Sequence, residues 1–292
     1  MERKLLNLIN TDKSDIKYHI DHYPDGQVQL VLEDLDDNKF HLVILTRICN
    51  SDDLFILMQL SDIVDRRGLS CTLYVTYLLA ARTDRLFSWN TSFTLKVVMD
   101  VLRSFNSEIM ILDPHSDAAN RLSGNKVYEI SFVNMLINYT DIFDDLDNIV
   151  IVAPDEGAKD RLEHIVSSSI FRNPIIYCSK TRNENGKVTE VKVKSESPIQ
   201  VGKKTRLIVI DDLCDGGGTF MAIAPELRKY EAKEVDLVIT HSIQLDGLKK
   251  VASVYDKVIT SNSYKDWDLM SNLPKNVNII NAVSMIEDEI YV

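Results

Sequence analysis

Between Arg206 and Glu226 the chain reads RLIVIDDLCDGGGTFMAIAPE. An apolar, β-branched run ends in two adjacent carboxylates, Asp211 and Asp212. A short loop follows, Cys214-Asp215-Gly216-Gly217-Gly218-Thr219, and then a segment of helical periodicity. Consecutive glycines let backbone N–H groups approach an anion closely. Those amides, Thr219 and the helix N-terminus together make a phosphate cradle. Carboxylates beside such a cradle repel a phosphate unless they hold something else. A sugar diol, or Mg²⁺ carrying polyphosphate, resolves the conflict. The plainer alternative is a helix entry with Asp215 near the N-cap and the glycines in a tight turn. The spacing is not the GxxxxGK[ST] of a Walker loop.

A second concentration of chemistry is the polar, basic stretch Ser179–Lys204, which reads as a long excursion or β-hairpin flap. Excursions of this length inside a compact domain are often functional. Lys180 and Arg182, two apart on an extended strand, face one side. Two cations there can close over phosphates and stabilise transition-state charge; otherwise they belong to a solvated charged loop. His115 and Asp155 each follow an apolar run, so both can point into a cleft. A lone histidine is more often structural than a metal ligand.

The elements that must position these groups alternate along the chain. Strand-like runs occur at Phe40–Thr46, Cys71–Tyr77, Glu108–Asp113, Asn148–Ala153, Pro174–Cys178, Thr205–Asp211, Glu234–His241 and Lys257–Thr260. Helical periodicity occupies Asp52–Arg67, Ser92–Ser104, Gly157–Ser168, Thr219–Tyr230 and Leu245–Tyr255. Buried strands separated by helices imply βαβ units, parallel sheets and ligands at the carboxyl ends of strands. Each half has a strand ending in Asp, at Asp113 and Asp211, which points to two similar α/β halves joined near residues 135–148.

The 292 residues suit about two domains. A formal charge of −11 argues against broad nucleic-acid or anionic-membrane binding. No apolar run reaches the about 18 residues of a membrane span, and the N-terminus turns polar too early for a signal-peptide core. Cys49, Cys71, Cys178 and Cys214 lie far apart with no CxxC, which fits neither a zinc site nor a disulfide framework and suits a reducing cytosol.

The strand, two acids and Asp215-Gly216-Gly217-Gly218-Thr219 resemble the ribose-phosphate signature D-T-x-G-T of the phosphoribosyltransferase-type fold. Further motifs, in order along the chain, resemble those of the ribose-phosphate pyrophosphokinases (phosphoribosyl pyrophosphate synthetases). Tyr23-Pro24-Asp25-Gly26-Gln27 is similar to F-x-D-G-E, and Tyr77 to Arg85 to Y-x-x-Y-A-R-Q-D-R. Leu112 to Ser116 contains a relative of D-L-H, and Val152 to Ala158 one of V-S-P-D-x-G-G. Ser179-Lys180-Thr181-Arg182 is similar to the flap's D-K-R-R. Ile239 to Ser242 and Thr260 to Ser263 are similar to the late A-T-H-G and T-N-T. The chain is thereby identified as a divergent member of that family, with a phage-type ADP-ribose branch as one possible home.

The resemblance implies an α/β fold of two similar phosphoribosyltransferase-type domains, each a mostly parallel sheet flanked by helices. It implies an ATP-side domain over residues 1–140 and a ribose-phosphate domain over 141–292 with a catalytic flap at 179–204. It implies Mg²⁺-dependent transfer of pyrophosphate from ATP to the 1-hydroxyl of a ribose 5-phosphate moiety, with AMP leaving. Lys180 and Arg182 would be catalytic. Tyr23, Asp25, Gln27, Arg82, Thr83, Asp84 and His115 would bind ATP. Asp155, Asp211, Asp212, Asp215, Gly216, Gly217, Gly218 and Thr219 would bind the ribose-phosphate, and the metal would lie between His115 and Asp155. A plain Pro-Asp-Gly turn explains Tyr23–Gln27 nearly as well. A homo-oligomer in the cytoplasm, without nucleic-acid or membrane partners, is expected.

The departures bear on the acceptor. Tyr23 stands for Phe, Gln27 for Glu, Thr83 for Gln, and Gly216 for the first Thr of the signature. Gly216 removes a hydroxyl donor and bulk from the 5′-phosphate loop. Ribose 5-phosphate then binds less tightly, or a substituted 5′-phosphate such as that of ADP-ribose is admitted, which would serve the rebuilding of nicotinamide adenine dinucleotide. A phosphoribosyltransferase, which needs no ATP, and a non-catalytic regulatory relative are the competing expectations.

Overall fold

The computed structural model describes residues 2–33, 35, 39–168, 175–182, 188–195 and 201–291. Its contacts divide into two units, Met1–Ile130 with Val283–Val292, and Ser131–Ala282. The division thus falls about ten residues before the boundary expected from the sequence, and the last turns of the chain return to the first unit.

In the first unit β1 (Arg3–Asn7) leads to a hairpin of β2 (Tyr18–His22) and β3 (Val28–Leu32). Then come β4 (His41–Thr46), α1 (Ser51–Arg67), β5 (Ser70–Val75), α2 (Thr94–Leu102), β6 (Glu108–Leu112), α3 (Ala118–Ser123) and β7 (Val127–Ile130). The main sheet runs β1-β4-β5-β6-β7 with parallel neighbours, while β2 and β3 pair only with each other. Leu42, Ile44, Leu57, Leu60, Leu73, Val98 and Ile111 are buried together between sheet and helices. The α1 start is fixed locally: Asn50 accepts from the amides of Asp52 and Asp53, and Asp53 reaches back to the Asn50 amide, a reciprocal cap.

The second unit holds α4 (Phe132–Tyr139), β8 (Ile149–Ala153), α5 (Glu156–Ser168), β9 (Ile176–Arg182) and β10 (Val188–Ser195). It continues with β11 (Arg206–Cys214), α6 (Gly218–Arg228), β12 (Glu234–Ser242), α7 (Leu245–Ala252), β13 (Val258–Ser261) and β14 (Val277–Ile280). Its seven-stranded sheet has the order β10-β9-β8-β11-β12-β13-β14, and only β10 is antiparallel. From β8 the chain moves outward to β9, then returns to the other side of β8 as β11. Open α/β sheets bind ligands beyond the carboxyl ends of the strands at such a reversal, here those of β8 and β11.

The expected strands and helices are all present with shifted ends. The short strands β1, β2, β3, β7 and β14, and the helices α3, α4 and α8 (Ala282–Ile290), were not anticipated. Strands of four or five residues carry too little periodicity to stand out from their polar surroundings. Among the described residues no helix is long and apolar enough to cross a membrane, and the four cysteines form no disulfide.

α8 is held to the first unit by a polar lock. Glu287, only 4% exposed, accepts from Asn7 Nδ2 at 2.7 Å and from Lys13 Nζ at 2.5 Å. Asn7 Oδ1 in turn takes the amides of Ile9 and Asn10. Removing one partner of a buried polar group leaves the other unsatisfied. Asn7→Ala is therefore expected to destabilise the protein by about 1–3 kcal/mol, read as a lowered midpoint in urea denaturation.

Candidate active site

In the second unit, the carboxyl ends of β9, β8, β11 and β12 stand side by side. Asp155 follows β8 and caps α5, its Oδ1 accepting the Ala158 amide at 3.0 Å. Its other oxygen meets Lys180 Nζ at 2.8 Å. Lys180 projects from β9 with its side chain 8% exposed, against 46% for Asp155. In this structure Lys180 is therefore a packed, paired cation rather than part of a solvated loop. Burial alone would raise the Asp155 pKa, but Lys180, the Ala158 amide and Arg161 together hold it below the ordinary carboxylate range.

Asp211 and Asp212 lie near the end of β11, 15% and 7% exposed. Arg161 of α5 reaches both through one nitrogen, at 2.7 Å and 2.8 Å. The Asp212 amide also donates to Asp211 Oδ1 at 3.0 Å. Burial first, then the Asp212 charge, push the Asp211 carboxyl well above its usual range, and Arg161 opposes the shift.

The loop from Asp215 to Thr219 enters α6 at Gly217, which makes no side-chain cap hydrogen bond. The turn from β12 to α7 buttresses it. Ile243 N–H donates to the Cys214 carbonyl at 2.9 Å, and Gln244 Nε2 donates to Asp215 Oδ1 at 2.7 Å. Gly217 takes φ +77°, and a Cβ there would stand 2.9 Å from Val251 Cγ1. A Cβ on Gly247 would lie 1.9 Å from the Asp215 carbonyl oxygen, so only glycine lets α7 approach the loop this closely. At Gly216 an added Cβ meets nothing within 4 Å.

The late motif residues form buried support. His241 Nδ1 and Ser263 Oγ are 2.7 Å apart, Ser242 and Thr260 hydroxyls 2.8 Å, and Trp267 Nε1 donates to the Ser242 carbonyl at 3.0 Å.

In the first unit, the loops after β5 and β6 lie on the same edge of the sheet because those strands are adjacent and parallel. Ala80 takes φ +64°, Asp113 +37° and His115 +72°. For residues other than Gly such left-handed conformations are costly and cluster at functional sites. Arg82 is exposed, and His115 is half-buried. Thr83 Oγ1 donates to the Ala80 carbonyl at 2.8 Å, so this hydroxyl serves its own turn. Tyr23 to Gln27 form the tip of the β2–β3 hairpin: Gly26 N–H donates to the Tyr23 carbonyl, and the Gln27 amide to Asp25 Oδ1. Tyr23 is exposed there.

Thus the structure brings Asp155 and Lys180 together, and Asp211 and Asp212 onto one cation. Arg182 ends β9; its side chain, with residues 183–187 and 196–200 of the expected flap, lies outside the described residues. Arg161, Gln244 and Gly247 were missed. No spacing rule singles out an arginine six residues after a strand-end aspartate, and only the fold brings Gly247 to Asp215.

Comparison with known proteins agrees with this arrangement. The phosphoribosyl transferase domain model matches residues 135–274. A ribose-phosphate pyrophosphokinase of Sulfurisphaera tokodaii is 22% identical over 268 residues, 90% of this chain and 89% of that protein. One from Pyrococcus abyssi is 24% identical over 283 residues, 96% of this chain and 90% of its own. The chain resembles the ribose-phosphate pyrophosphokinases along nearly its whole length. The crystal structure of a phosphoribosylpyrophosphate synthetase from Mycobacterium smegmatis superposes with a TM-score of 0.79 at 19% identity, covering 100% of this chain and 98% of that one, which fixes the fold. The pyrophosphokinase resemblance therefore spans both units, while the transferase domain model covers almost only the second.

Close packing at Gly247 has a measurable consequence. Gly247→Ala should force the Asp215 carbonyl and its loop to shift, costing about 1–3 kcal/mol as overpacking does. Gly202→Ala, where a Cβ meets nothing within 4 Å, is the control. Thermal unfolding of the two variants checks this, with the loss expected in Gly247→Ala alone.

Proposed function

We propose that the protein is an enzyme that transfers the pyrophosphoryl group of ATP to the 1-hydroxyl of a ribose 5-phosphate moiety, with AMP leaving. The observation that carries this is the reach of the relatives. Enzymes named ribose-phosphate pyrophosphokinase align over 90% and 96% of the chain, through both units. A phosphoribosyltransferase would account for the second unit only.

Asp211 and Asp212 accept hydrogen bonds from the ribose hydroxyls, and Asp215 to Thr219 enclose the 5′-phosphate with backbone amides. Lys180 and Arg182 supply positive charge to the transferring phosphates. Arg82, Thr83 and Asp84, with Tyr23, Asp25 and Gln27, belong to the nucleotide. The sugar oxygen bonds to the β-phosphorus as the bond to the AMP oxygen breaks. Such chemistry depends on positioning and charge neutralisation rather than on covalent catalysis.

Asp155, at the carboxyl end of β8, is assigned as a magnesium ligand. Asp155, held ionised, is the hard oxygen donor that Mg²⁺ prefers. Mg²⁺ is commonly bound by one or two carboxylates plus substrate phosphates. When bound, the metal neutralises phosphate charge and orients the polyphosphate. Lys180 pairs with Asp155 in this structure; Asp155 would help hold the metal, and the Lys180 ammonium would serve the phosphates. A cytoplasmic homo-oligomer is the setting we assign.

Mg-ATP together with ribose 5-phosphate or ADP-ribose should release AMP. Lys180→Ala should lower kcat by roughly 10²-fold or more with little change in KM, because its charge is needed chiefly in the transition state. Acceptor-independent AMP release, or a near wild-type kcat in Lys180→Ala, would overturn the assignment.

Both acceptors are retained, and the open space at Gly216 supports admission of a substituted 5′-phosphate. The backbone there also leaves room for a Thr. Gly216→Thr should shift the kcat/KM ratio towards ribose 5-phosphate by roughly tenfold, the worth of one charge-assisted hydrogen bond regained. An unchanged ratio in steady-state assays would show that Gly216 does not choose the acceptor.

A further inference from the structure

Asp211 and Asp212 share one guanidinium. Arg161 Nη2 lies 2.7 Å from Asp211 Oδ1 and 2.8 Å from Asp212 Oδ1, with 28% of its side chain exposed. Two donors, this nitrogen and the Asp212 amide, converge on the same oxygen of Asp211. Arg161 stands six residues along α5 from Asp155, nearly two turns, and α5 is itself started by the Asp155 cap. One helix therefore carries its arginine to β11 from a start set at the end of β8, across the topological reversal of the sheet.

A phosphate-bearing ligand approaching Asp211 and Asp212 meets two negative charges before it meets the loop amides. A guanidinium shared by both carboxylates is always charged, so it offsets one of the two charges and holds both carboxylates on one nitrogen. Lys180 does not share this task, because its contact is with Asp155.

We propose that Arg161 is the positioning residue for the acceptor: it offsets one of the two charges of Asp211 and Asp212 and orients them to receive the hydroxyls of a ribose whose phosphate lies in the Asp215–Thr219 loop. This inference rests on the ribose-phosphate reading of that loop. Arg161 acts through the carboxylates and need not touch ATP or the transferring group. Its main effect falls on acceptor binding, because its contacts are with Asp211 and Asp212 while Lys180 and the Ala158 amide hold Asp155.

The test is calorimetric binding of ribose 5-phosphate and of ADP-ribose to the full chain without ATP, followed by steady-state assays. Arg161→Gln is expected to weaken the better-bound probe by roughly 10- to 100-fold, while the KM for ATP stays within about twofold. Arg161→Lys keeps the charge but loses the planar fork, and its affinity should fall between wild type and Arg161→Gln. If Arg161→Gln does not fold, Arg161→Lys carries the test, with a roughly three- to tenfold loss expected. Wild-type acceptor affinity in a folded variant, or equal losses for acceptor and ATP, would overturn the role of Arg161. Wild-type protein that binds neither probe would instead overturn the ribose-phosphate reading itself, and this inference with it.

Discussion

Negative charge is concentrated at the carboxyl ends of β8 and β11 and in the glycine loop that follows. β11 ends in Asp211 and Asp212, Asp155 closes β8, and Asp215 opens the glycine loop. Left alone, these carboxylates would repel one another and any phosphorylated ligand. Each has an assigned partner: Lys180 on Asp155, Arg161 on Asp211 and Asp212, and Gln244 on Asp215. The partners come from three different elements, β9, α5 and the β12–α7 turn. The surrounding fold can be understood as the scaffold that delivers them.

Parallel pairing does most of that delivery. Because β9, β8, β11 and β12 run the same way, their carboxyl ends gather on one edge, and the reversal at β8 marks where such a sheet binds ligands. Steric fit then sets the loop. Gly217 and Gly247 bring α7 against the Asp215–Thr219 backbone at a distance that no side chain allows. The first unit differs, since its sheet runs from β1 through β4, β5 and β6 to β7 without reversal. Its candidate site is marked by backbone strain at Ala80, Asp113 and His115.

The departures from the family's motifs fall unevenly. Lys180, Asp155, Asp211 and Asp212 stand where the family resemblance places them, and in the second unit they meet suitable partners. The changes at Tyr23, Gln27, Thr83 and Gly216 lie at the periphery. Tyr23 and Gln27 sit on a hairpin tip, and Thr83 bonds within its own turn. Gly216 opens the phosphate loop to space.

The order of apolar runs, the acids at their ends and the glycine loop were legible in the sequence. They are local: a buried parallel strand needs a continuous β-branched run, and an anion loop needs glycines beside a helix start. From these alone came the α/β class, the parallel sheets, and Asp211 and Asp212 as residues of interest, while Asp155 and Lys180 were singled out by the family resemblance. The return of α8 to the first unit, through Glu287 on Asn7 and Lys13, was hidden because its partners lie some 280 residues apart in the chain. The same holds for Arg161 against Asp211, 50 residues on, and for Gly247 against Asp215. Charge pairing and close packing act through space, so which cation neutralises which carboxylate, and which glycine cannot be replaced, was decided only when the strands came together.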